Sequence, residues 1–480
     1  MTATTNLRAF LTAIEGIYFT QDGHTLSAKS KDCFWYSPLL QQSLGDKLGE
    51  VLVKPRDQLE LIRIASAACK NHVNLTSRSG GTGNYGKCVP LDSGVILDIT
   101  GLNRVLSITP DQVICEAGWL MMELERAVRS DNCVAGGQEL LMYPSTRDIA
   151  TIGGFVGGGH GGAGSIRNGI LKDPRNVTSI KVVTLETEPR VIDLVGADIQ
   201  KVHHAFGTNG IMIELTQSLK PAVNWAHHIA LIDGYADALK LCTAATDAVN
   251  RTVPIGGNQT PNECLLDAFL ITAAERRFAP FYKNEFDARF PADRDAVFSM
   301  IHPDYLTQWR AMVAKDGGTE TMAMTEGELT VAGLPPAFEC GWNHTTLMAL
   351  RQDRSWTSLQ IIHSWPLDIL QIQAQMNRWG DEVLMHHAFA RDHNGPVVFG
   401  LSLIAYFDRD RLYQIIGEFE AEACMVLDNH VYTIEGGGMK TIDSMQIDFK
   451  KVADPHGLMN PGKTEGWQPD MAAPSTAPVP

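Results

Sequence analysis

Residues 77–86 read SRSGGTGNYG, and residues 152–169 read IGGFVGGGHGGAGSIRNG. Glycine weakens regular structure, so this density indicates backbone that must turn tightly or approach a ligand closely. One such loop alone is compatible with an ordinary surface turn, because glycine loops are common. Two of them in one chain favour a shared ligand, and the second segment excludes large side chains over a stretch long enough to lie against a flat molecule.

The residues around the first segment show what kind of ligand it suits. A strand leads into the segment, as in a dinucleotide-binding fingerprint, but such a fingerprint should open a helix. Here the chain runs on into Val89, Pro90 and Leu91, which is not a helical start. The ordinary fingerprint therefore does not apply. What remains is a loop rich in backbone N–H groups, and such a concavity suits a pyrophosphate.

Charge and cysteine usage exclude several classes of protein. The 480 residues include 40 Lys and Arg against 55 Asp and Glu, a formal net charge of −15, whereas a nucleic-acid binder carries a basic patch. We expect no membrane span, because no apolar run approaches the ~18 residues needed, and the amino terminus does not read as a secretory signal. The nine cysteines are scattered without a CxxC spacing, which is typical of reduced thiols in a cytoplasmic protein.

The amino-acid composition changes after Pro221. Glycine becomes rarer, and Trp, His and Met become more frequent. Before this point we predict a helix over 58–69 and a hairpin formed by 181–185 and 190–194. After it, alternating strands and helices fit an α+β second domain. The predicted elements are strands over 226–232 and 397–406, and helices over 236–249, 367–379 and 411–426.

From about residue 51 to 221 the chain resembles the FAD-binding domain of the vanillyl-alcohol oxidase / p-cresol methylhydroxylase superfamily. The matching pieces, in order, are VLVKPRDQLELI, SRSGGTGNYG, GVILDITGLNRVLSI, VICEAGWLMMELERAV, ATIGGFVGGG, GSIRNGILKDPRNV and HHAFGTNGIMIE. FKKVADPHGLMNPGK, at 449–463, is similar to the closing motif of the superfamily. GTGNYG and the closing motif are most similar in style to the branch formed by glycolate oxidase and the D-2-hydroxyacid dehydrogenases.

The resemblance implies a fold class and a domain division. The expected class is α+β, a two-domain flavoprotein of vanillyl-alcohol-oxidase type. It would have an FAD-binding α+β domain and an α+β substrate (cap) domain with an antiparallel sheet. The FAD-binding domain is expected over 1–222, completed by 446–467, and the cap over 223–445. Residues 468–480, rich in Pro and Ala, are expected to be a disordered tail.

The resemblance also implies how the cofactor is held. The first loop and the Ile152-Gly153-Gly154 segment are expected to hold the FAD pyrophosphate. Members of the superfamily often attach flavin through a His in the first loop, and some add a Cys just before the second. Thr82 and Arg147 occupy these positions here, so the flavin is expected to be non-covalent. The expected FAD-binding residues are Arg78, Ser79, Gly80, Gly81, Thr82, Gly83, Asn84, Tyr85, Pro144, Ile152, Gly153, Gly154, Gly157, Gly158, Gly162, Gly210, Ile211 and Asn460.

Candidate catalytic residues follow from the chemistry of hydride removal. Taking a hydride from an alcohol carbon requires a base for the hydroxyl proton, and His or Glu can serve. His160 lies inside the second glycine segment, although a loop histidine bonded to backbone would look the same. In the second domain, polar clusters place His344, His386, His387 and Glu435 as a candidate polar site opposite the flavin. Each of them, taken singly, also fits a solvated or structurally bonded side chain.

A divalent-metal site is a less favoured hypothesis for some of the polar residues of the second domain. Metal-dependent D-2-hydroxyacid dehydrogenases carry a His-x6-His and a later Glu-His-Gly. His386 and His393 keep the first spacing and Glu435 keeps the glutamate, and two imidazoles with a carboxylate can bind a divalent metal. The residues between the two histidines differ, however, and Gly436 replaces the later histidine. We therefore expect no metal and keep this trio as an alternative.

Taken together, these features predict an FAD-dependent oxidoreductase, oxidase or dehydrogenase, acting on a small hydroxy acid or alcohol by hydride transfer to flavin N5. Two alternatives stay open: a flavin-binding subunit of a larger electron-transfer complex, and an oxidase of a phenolic or amine substrate. The electron acceptor would be dioxygen or a redox partner. We expect a cytoplasmic protein without nucleic acid, and a homodimer stays open.

The expected mode of flavin attachment can be tested directly. Because Thr82 and Arg147 cannot form the usual covalent bonds, acid precipitation of the purified protein should release all yellow colour into the supernatant. Flavin that remains on the protein pellet would contradict a non-covalent cofactor.

Overall fold

The computed structural model describes most of the 480-residue chain. The described residues are 3–249, 266–286, 289–438, 441–468 and 471. Apart from 468 and 471, the predicted tail lies outside them. None of the described helices is both long and apolar enough to cross a membrane.

Fifteen helices are present among the described residues. Their bounds are α1 Ala3–Ala13, α2 Gly23–Lys29, α3 Pro38–Leu44, α4 Gln58–Lys70, α5 Met121–Ser130, α6 Ile152–Gly158, α7 Ser165–Asn168, α8 Tyr235–Ala248, α9 Ala279–Phe286, α10 Leu306–Lys315, α11 Glu326–Ala332, α12 Trp342–Gln352, α13 Ile369–Trp379, α14 Arg409–Ala421 and α15 Ser444–Ala453.

Two sheets form the amino-terminal part. The strands of the first are β1 Phe19–Thr20, β2 Val51–Val53, β3 Leu75–Arg78 and β4 Val95–Asp98, in the order β1-β2-β4-β3. The strands of the second are β5 Val105–Ile108, β6 Gln112–Glu116, β7 Gln138–Leu140, β8 Val177–Val183, β9 Val191–Val195 and β10 Ile211–Pro221, in the order β5-β6-β10-β8-β9, with β7 on β10. β8 and β9 form the predicted hairpin.

The connection between β2 and β3 explains how the first glycine loop is positioned. Both strands pair in parallel with β4, and parallel strands require a crossover, which α4 supplies. Asp57 starts α4 because its side chain accepts a hydrogen bond from the N–H of Glu60 (2.9 Å), as an N-cap residue does. Leu61 and Ile64 bury one face of the helix. β3 consequently ends, at Arg78, where the first glycine loop begins.

A single large sheet forms the second part. Its strands are β11 Ala226–Ile232, β12 Ala268–Ala274, β13 Asp295–Ile301, β14 Thr319–Met324, β15 Trp356–His363, β16 Val383–Leu384, β17 His386–Asp392, β18 Gly395–Ala405 and β19 Met425–Leu427. The order is β14-β11-β13-β12-β17-β18-β15-β19, with β16 on β18, and the pairs are antiparallel. The predicted α+β class with an antiparallel second sheet is confirmed.

Two element predictions differ from the structure. Residues 152–158, expected to turn tightly or to lie against a ligand, form the short helix α6. The helix predicted over 411–426 ends at Ala421, because Ala423 adopts a positive φ of 59° that a helix cannot continue.

The carboxyl-terminal segment returns to the amino-terminal part. The N–H of Leu75 in β3 donates to the carbonyl of Leu458 (2.9 Å), and the N–H of Asn460 donates to the carbonyl of Leu75 (2.8 Å). In α15, Lys450 forms a fully buried ion pair with Asp454 (2.6 Å) and donates to the carbonyl of Thr208 (2.8 Å). These bonds anchor the closing motif beside the strand that carries the first glycine loop.

Two ion pairs join the two parts. Arg147 Nη2 lies 2.6 Å from Glu326 Oε1 at the start of α11; the arginine side chain is buried and the glutamate is half-exposed. Arg167 in α7 pairs with Asp267 beside β12 (2.8 Å), and both of these side chains are largely buried. Removing one partner of the Arg167–Asp267 pair leaves an uncompensated buried charge, which typically costs about 3–5 kcal/mol. The second part is therefore held in a defined position over the first.

Buried histidines make the fold sensitive to acid. Burial lowers the pKa of His387 well below its usual value, and lowers the pKa of His227, His228, His363, His386 and His430 to about 4. Below pH 6.5 the unfolded chain binds protons at these sites and the folded chain does not. The unfolding free energy should therefore fall as the pH drops from 6.5 toward 4, by up to about 1.4 kcal/mol per pH unit for each histidine.

Buried carboxyls oppose this trend, since burial raises the pKa of Asp32 to about 6 and of Glu139 and Glu275 to about 7. They are fewer than the histidines, so urea unfolding should still show a net loss of stability between pH 7 and pH 5. A His386→Gln variant should flatten the pH dependence, whereas His24→Gln, at an exposed position, should not. Equal stability at both pH values would contradict the linkage.

Candidate functional site

A cavity of about 460 Å³ lies between the two glycine segments and the second part of the chain. Its volume is within the usual range of ligand pockets, ~300–1,000 Å³. The amino-terminal part supplies the first glycine loop, residues 144–146, α6 and the residues that follow it. The second part supplies Trp342, Asn343, Gln360, Ile362, Asp392, Val397, Phe399, Leu401, Met425 and Leu427.

The first glycine loop leaves its backbone donors unused. Among the described residues, no N–H group of residues 81–84 donates a hydrogen bond to protein, and these residues line the cavity. Consecutive free N–H groups form a concavity that attracts an anion. The loop therefore has the property that the sequence suggested for it.

Gly81 is the residue that this loop conformation requires. Its φ is +68°, a region that costs other residues about 1–2 kcal/mol. A Cβ here would also lie 2.3 Å from Arg78 Nη2. The Arg78 guanidinium is held by the carbonyls of Ser79 (3.0 Å) and Lys31 (3.2 Å), and its buried Nε has no hydrogen-bond partner within the described chain.

The second glycine segment differs from the first loop in how its backbone donors are used. The N–H groups at the start of α6 already donate within the protein: Ile152 to the carbonyl of Trp119 (3.0 Å) and Gly153 to that of Ala117 (2.8 Å). Gly154 donates to Thr151 Oγ1 (3.2 Å). The helix start thus offers no spare donor to a pyrophosphate. Gly153 and Gly154 still line the cavity, where the lack of side chains permits close approach.

Buried charges lie under the first loop. The Lys87 ammonium donates to the carbonyl of Gly158 and lies 4.8 Å from the ring centroid of Tyr85, and burial lowers the pKa of Lys87 to about 8. Burial likewise lowers the pKa of Lys463 to about 8. Asp32 accepts from the N–H of Phe34 through Oδ1, while its buried Oδ2 has no partner within the described chain.

These features fit a flavin dinucleotide. Free amides and the Lys87 ammonium at the cavity suit a diphosphate, since such groups bind phosphate oxygens. Glycines at 83 and 158 allow close packing around the Lys87 stem, because a Cβ at either position would lie within 3.3 Å of Lys87 Cδ. The cavity extends from this anion-binding region to the second part of the chain, as a cofactor as long as FAD requires.

The wall opposite the glycine loops comes mainly from β15, β18 and α12. Successive side chains of a strand face opposite sides, so Gln360 and Ile362 of β15 line the cavity while His363 is buried behind them. Tyr85 OH donates to Gln360 Oε1 (2.8 Å), and Gln360 Nε2 donates to Asn343 Oδ1 (2.7 Å). A hydrogen-bonded chain thereby crosses the cavity from the first glycine loop to α12.

Backbone strain is concentrated at this cavity. His204, Phe206 and Trp342 line it, and all three have positive φ values, of 51°, 51° and 52°. Such conformations persist in bulky residues only where the surroundings impose them, and they cluster at functional sites. The strain supports this cavity as the functional centre.

Of the five predicted catalytic residues, His160 lines the cavity. It follows α6, and its ring centroid lies 5.5 Å from that of Phe399 and 6.1 Å from that of His204. Its carbonyl accepts from the N–H of Leu171 (2.9 Å), which fixes the backbone. The imidazole thus sits where the glycine segment meets the second part.

His386 and His387 do not reach the cavity, which corrects the sequence-based assignment. Both begin β17 and are fully buried. His386 Nε2 lies 2.9 Å from Thr272 Oγ1 and 3.3 Å from Thr345 Oγ1 of α12. On the other face of the strand, His387 Nδ1 lies 2.7 Å from the hydroxyl of Tyr235 in α8. Because helices cover both faces here, these rings serve the packing of the sheet.

His344 and Glu435 are also outside the cavity lining. His344 Nδ1 lies 3.1 Å from the carbonyl of Ser145, and burial lowers the pKa of His344. Glu435 accepts from Thr464 Oγ1 (2.6 Å) and from the N–H of Glu465 (2.9 Å), so it fastens the carboxyl-terminal segment. The expected four-residue polar site opposite the flavin is therefore not assembled.

The alternative metal trio is likewise not brought together. His386 is enclosed in the sheet, Glu435 binds the carboxyl-terminal segment, and His393 is exposed with its Nδ1 3.6 Å from Asp173. Within the described part of the chain, no group of three His, Cys, Asp or Glu side chains is arranged to hold a metal ion.

Most of the predicted FAD-binding residues line the cavity, and four do not. Ile152 is buried in the core, and Ile211 pairs with Val183 in the second sheet. Gly162 packs against the carbonyl of Tyr143, from which a Cβ would lie 2.0 Å away. Asn460 Nδ2 donates to the carbonyls of Lys87 and Phe206. These residues support the cavity from behind.

Sequence reasoning missed the residues whose position depends on distant chain segments. Asp32, Lys87, Gln360 and Phe399 line the cavity but lie in none of the motifs that carried the resemblance. Lys87 directly follows the first glycine segment, and that proximity was the one available signal.

Comparisons with known proteins agree with this geometry. Residues 49–191 match the family model described as FAD binding domain. The glycolate oxidase protein GlcD of Bacillus subtilis is 26% identical over 184 residues, which cover 36% of this chain and 37% of that protein. GlcD of Escherichia coli K12 is 23% identical over 445 residues, 86% of this chain and 83% of that protein. The structure of 4-ethylphenol oxidase from Gulosibacter chungangensis aligns with a TM-score of 0.66 at 16% identity, covering 96% and 97% of the two chains.

These results define the class of the protein, which is an FAD-dependent oxidoreductase with the fold of the vanillyl-alcohol-oxidase-type flavoproteins. In sequence, the chain is similar to the glycolate oxidase GlcD proteins and to a D-lactate dehydrogenase from Anaerostipes hadrus, which is 24% identical over 192 residues.

Gly81→Val should abolish FAD binding. A valine at this position would be strained at φ +68° and would collide with the Arg78 guanidinium, so the free amides of residues 81–84 would be displaced. The measurement is the flavin-to-protein absorbance ratio, with circular dichroism to show that the variant is folded.

The matched control is Gly196→Val. Gly196 also has a positive φ, of 57°, but nothing lies within 4 Å of its Cβ position. This variant carries a similar backbone cost and should keep its FAD. Stoichiometric FAD in Gly81→Val would show that the first loop does not hold the cofactor.

Proposed function

We propose that this chain oxidises a small organic substrate, a hydroxy acid or an alcohol. The observation that carries the proposal is the continuity of one cavity, which joins the free amides of residues 81–84 to a chamber lined by the second part. FAD bound there would supply the redox chemistry by accepting a hydride from the substrate carbon at N5.

In this proposal the first loop and Lys87 bind the diphosphate, and the glycines of α6 admit the cofactor without contributing donors. The flavin is held without a covalent bond. The Arg147 guanidinium forms an ion pair with Glu326 and lies 4.4 Å from the ring centroid of Phe338. Burial raises the pKa of the cavity-lining Cys88 thiol to about 12, so this sulfur stays protonated and is a poor nucleophile.

His160 is the proposed base. An alcohol that loses a hydride must also lose its hydroxyl proton, and the imidazole would take that proton from the substrate oxygen. The ring lies against Phe399 of the wall formed by the second part, and its backbone is fixed by Leu171. Those contacts orient the imidazole toward the chamber rather than toward the diphosphate loop.

A second candidate function is that of a flavin-carrying subunit of an electron-transfer assembly. It is favoured by the name of the relative aligned over most of its length, a glycolate oxidase subunit. The two functions separate when the purified chain is given substrate with dioxygen or with an artificial electron acceptor. Turnover with either one supports a self-sufficient enzyme, whereas flavin reduction without turnover supports the role of a subunit.

His160→Gln should slow anaerobic flavin reduction by about 10²–10⁴-fold, the usual effect of losing a general base, while FAD content stays unchanged. Stopped-flow bleaching of the flavin with hydroxy acids, alcohols and amines measures this rate. His393→Gln, at an exposed histidine outside the cavity lining, should reduce flavin at the wild-type rate. A His160→Gln rate within tenfold of wild type would place the base elsewhere.

A further inference from the structure

Among the described residues, the side chains that the second part contributes to the cavity lining carry no positive charge. Its lining residues among the described positions include seven apolar side chains, two amides and one carboxylate, Asp392, but no Lys or Arg. Carboxylate substrates are held by arginine or lysine, often in bidentate pairs. A chamber wall without such a residue lacks the usual anchor for a hydroxy acid.

The cations that do line the cavity belong to the amino-terminal part. The Arg78 guanidinium lies under Gly81, and the Lys87 stem lies between Gly83 and Gly158, so both serve the cofactor loop. Lys172 is exposed to solvent beside Asp173, which Asp392 also approaches. Arg78 and Lys87 therefore face the cofactor loop, and the exposed Lys172 has the Asp173 carboxylate beside it.

An uncharged hydrogen-bonding chain occupies that wall instead. Tyr85 donates to Gln360 and Gln360 donates to Asn343. Burial raises the pKa of Tyr85 well above its usual value, so the phenol stays neutral. This direction of donation leaves Asn343 Nδ2 as the terminal donor, and no other described group accepts from it. An amide N–H suits a neutral oxygen acceptor.

A rigid aromatic surface adjoins this donor. The Trp342 ring lies 5.1 Å from the ring of Phe399, centroid to centroid. Gly161 makes room for it, since a Cβ at that position would lie 2.8 Å from the indole. The positive φ of Trp342 places this ring at the cavity although the residue begins a helix.

Building on the function proposed above, we infer that the substrate is an uncharged, apolar alcohol rather than a hydroxy acid. Its carbon skeleton packs against Trp342 and Phe399, and its oxygen accepts a hydrogen bond from Asn343. The oxidation converts the carbinol to a carbonyl: the C–H pair leaves as hydride to FAD, and the hydroxyl proton goes to His160.

The inference can be tested with matched pairs that differ by one carboxylate. Anaerobic flavin reduction in the holoenzyme by benzyl alcohol is compared with that by mandelate, and 2-phenylethanol with 3-phenyllactate. The alcohols should give second-order rate constants at least tenfold higher. Equal or faster reduction by the hydroxy acids, or by benzylamine, would overturn the inference.

A binding measurement separates this inference from the proposed function. Benzamide and benzoate are titrated while the shift of the flavin absorption is recorded, and benzamide should bind at least tenfold more tightly. If no alcohol reduces the flavin but benzamide is preferred, the proposed oxidation fails and the neutral pocket stands. If benzoate binds as tightly as benzamide, the neutral pocket fails.

Variants locate the donor. Asn343→Asp replaces the amide donor by an anion of the same size and should weaken benzamide binding about tenfold. Asn343→Ala should weaken it about two- to tenfold, the range for one lost neutral hydrogen bond, and serves if the aspartate variant does not retain FAD. Asn377→Asp, on the exposed face of α13, should bind as wild type. Unchanged binding in both Asn343 variants would overturn the role of this residue.

Discussion

The free backbone amides of residues 81–84 are the constraint on which the rest of the site depends. A concavity of N–H groups exists only if those groups find no partner within the protein, and the loop can adopt this shape only if Gly81 carries no Cβ. Everything around the loop serves to hold it. β3 fixes its start, Arg78 lies beneath it, and the closing motif binds β3 through Leu458 and Asn460.

The second constraint is the fixed position of the large sheet over this loop. Two ion pairs, Arg147 with Glu326 and Arg167 with Asp267, join the two parts of the chain. The hydrogen bond from Tyr85 to Gln360 joins them again inside the cavity. The same contacts that close the cavity therefore place an amide chain and an aromatic wall beside the proposed cofactor subsite. In this protein the structural interface and the substrate chamber are one surface.

The placement of the histidines shows where sequence reasoning was limited. His160 could be placed at the cavity because it lies within a glycine segment that was expected to approach the ligand closely. His386 and His387 looked equally polar in the sequence, yet helices cover both faces of β17 and bury them. Burial depends on which elements pack on a strand, and that information is not local. For the same reason Gln360, an inconspicuous residue of β15, was missed.

Local composition and order determined the class of this protein. Glycine at residues 77–86 and 152–169 permits close approach of the backbone to a ligand, and the motifs around these segments follow the order of the superfamily. Only the tertiary structure decided which donors are free. The amides of α6 are used by Trp119, Ala117 and Thr151, whereas those of residues 81–84 are not. Hydrogen-bond partners come from segments distant in the chain, so the free amides of residues 81–84 became apparent only once the chain was folded. The same holds for a cavity wall that has no Lys or Arg among the described residues.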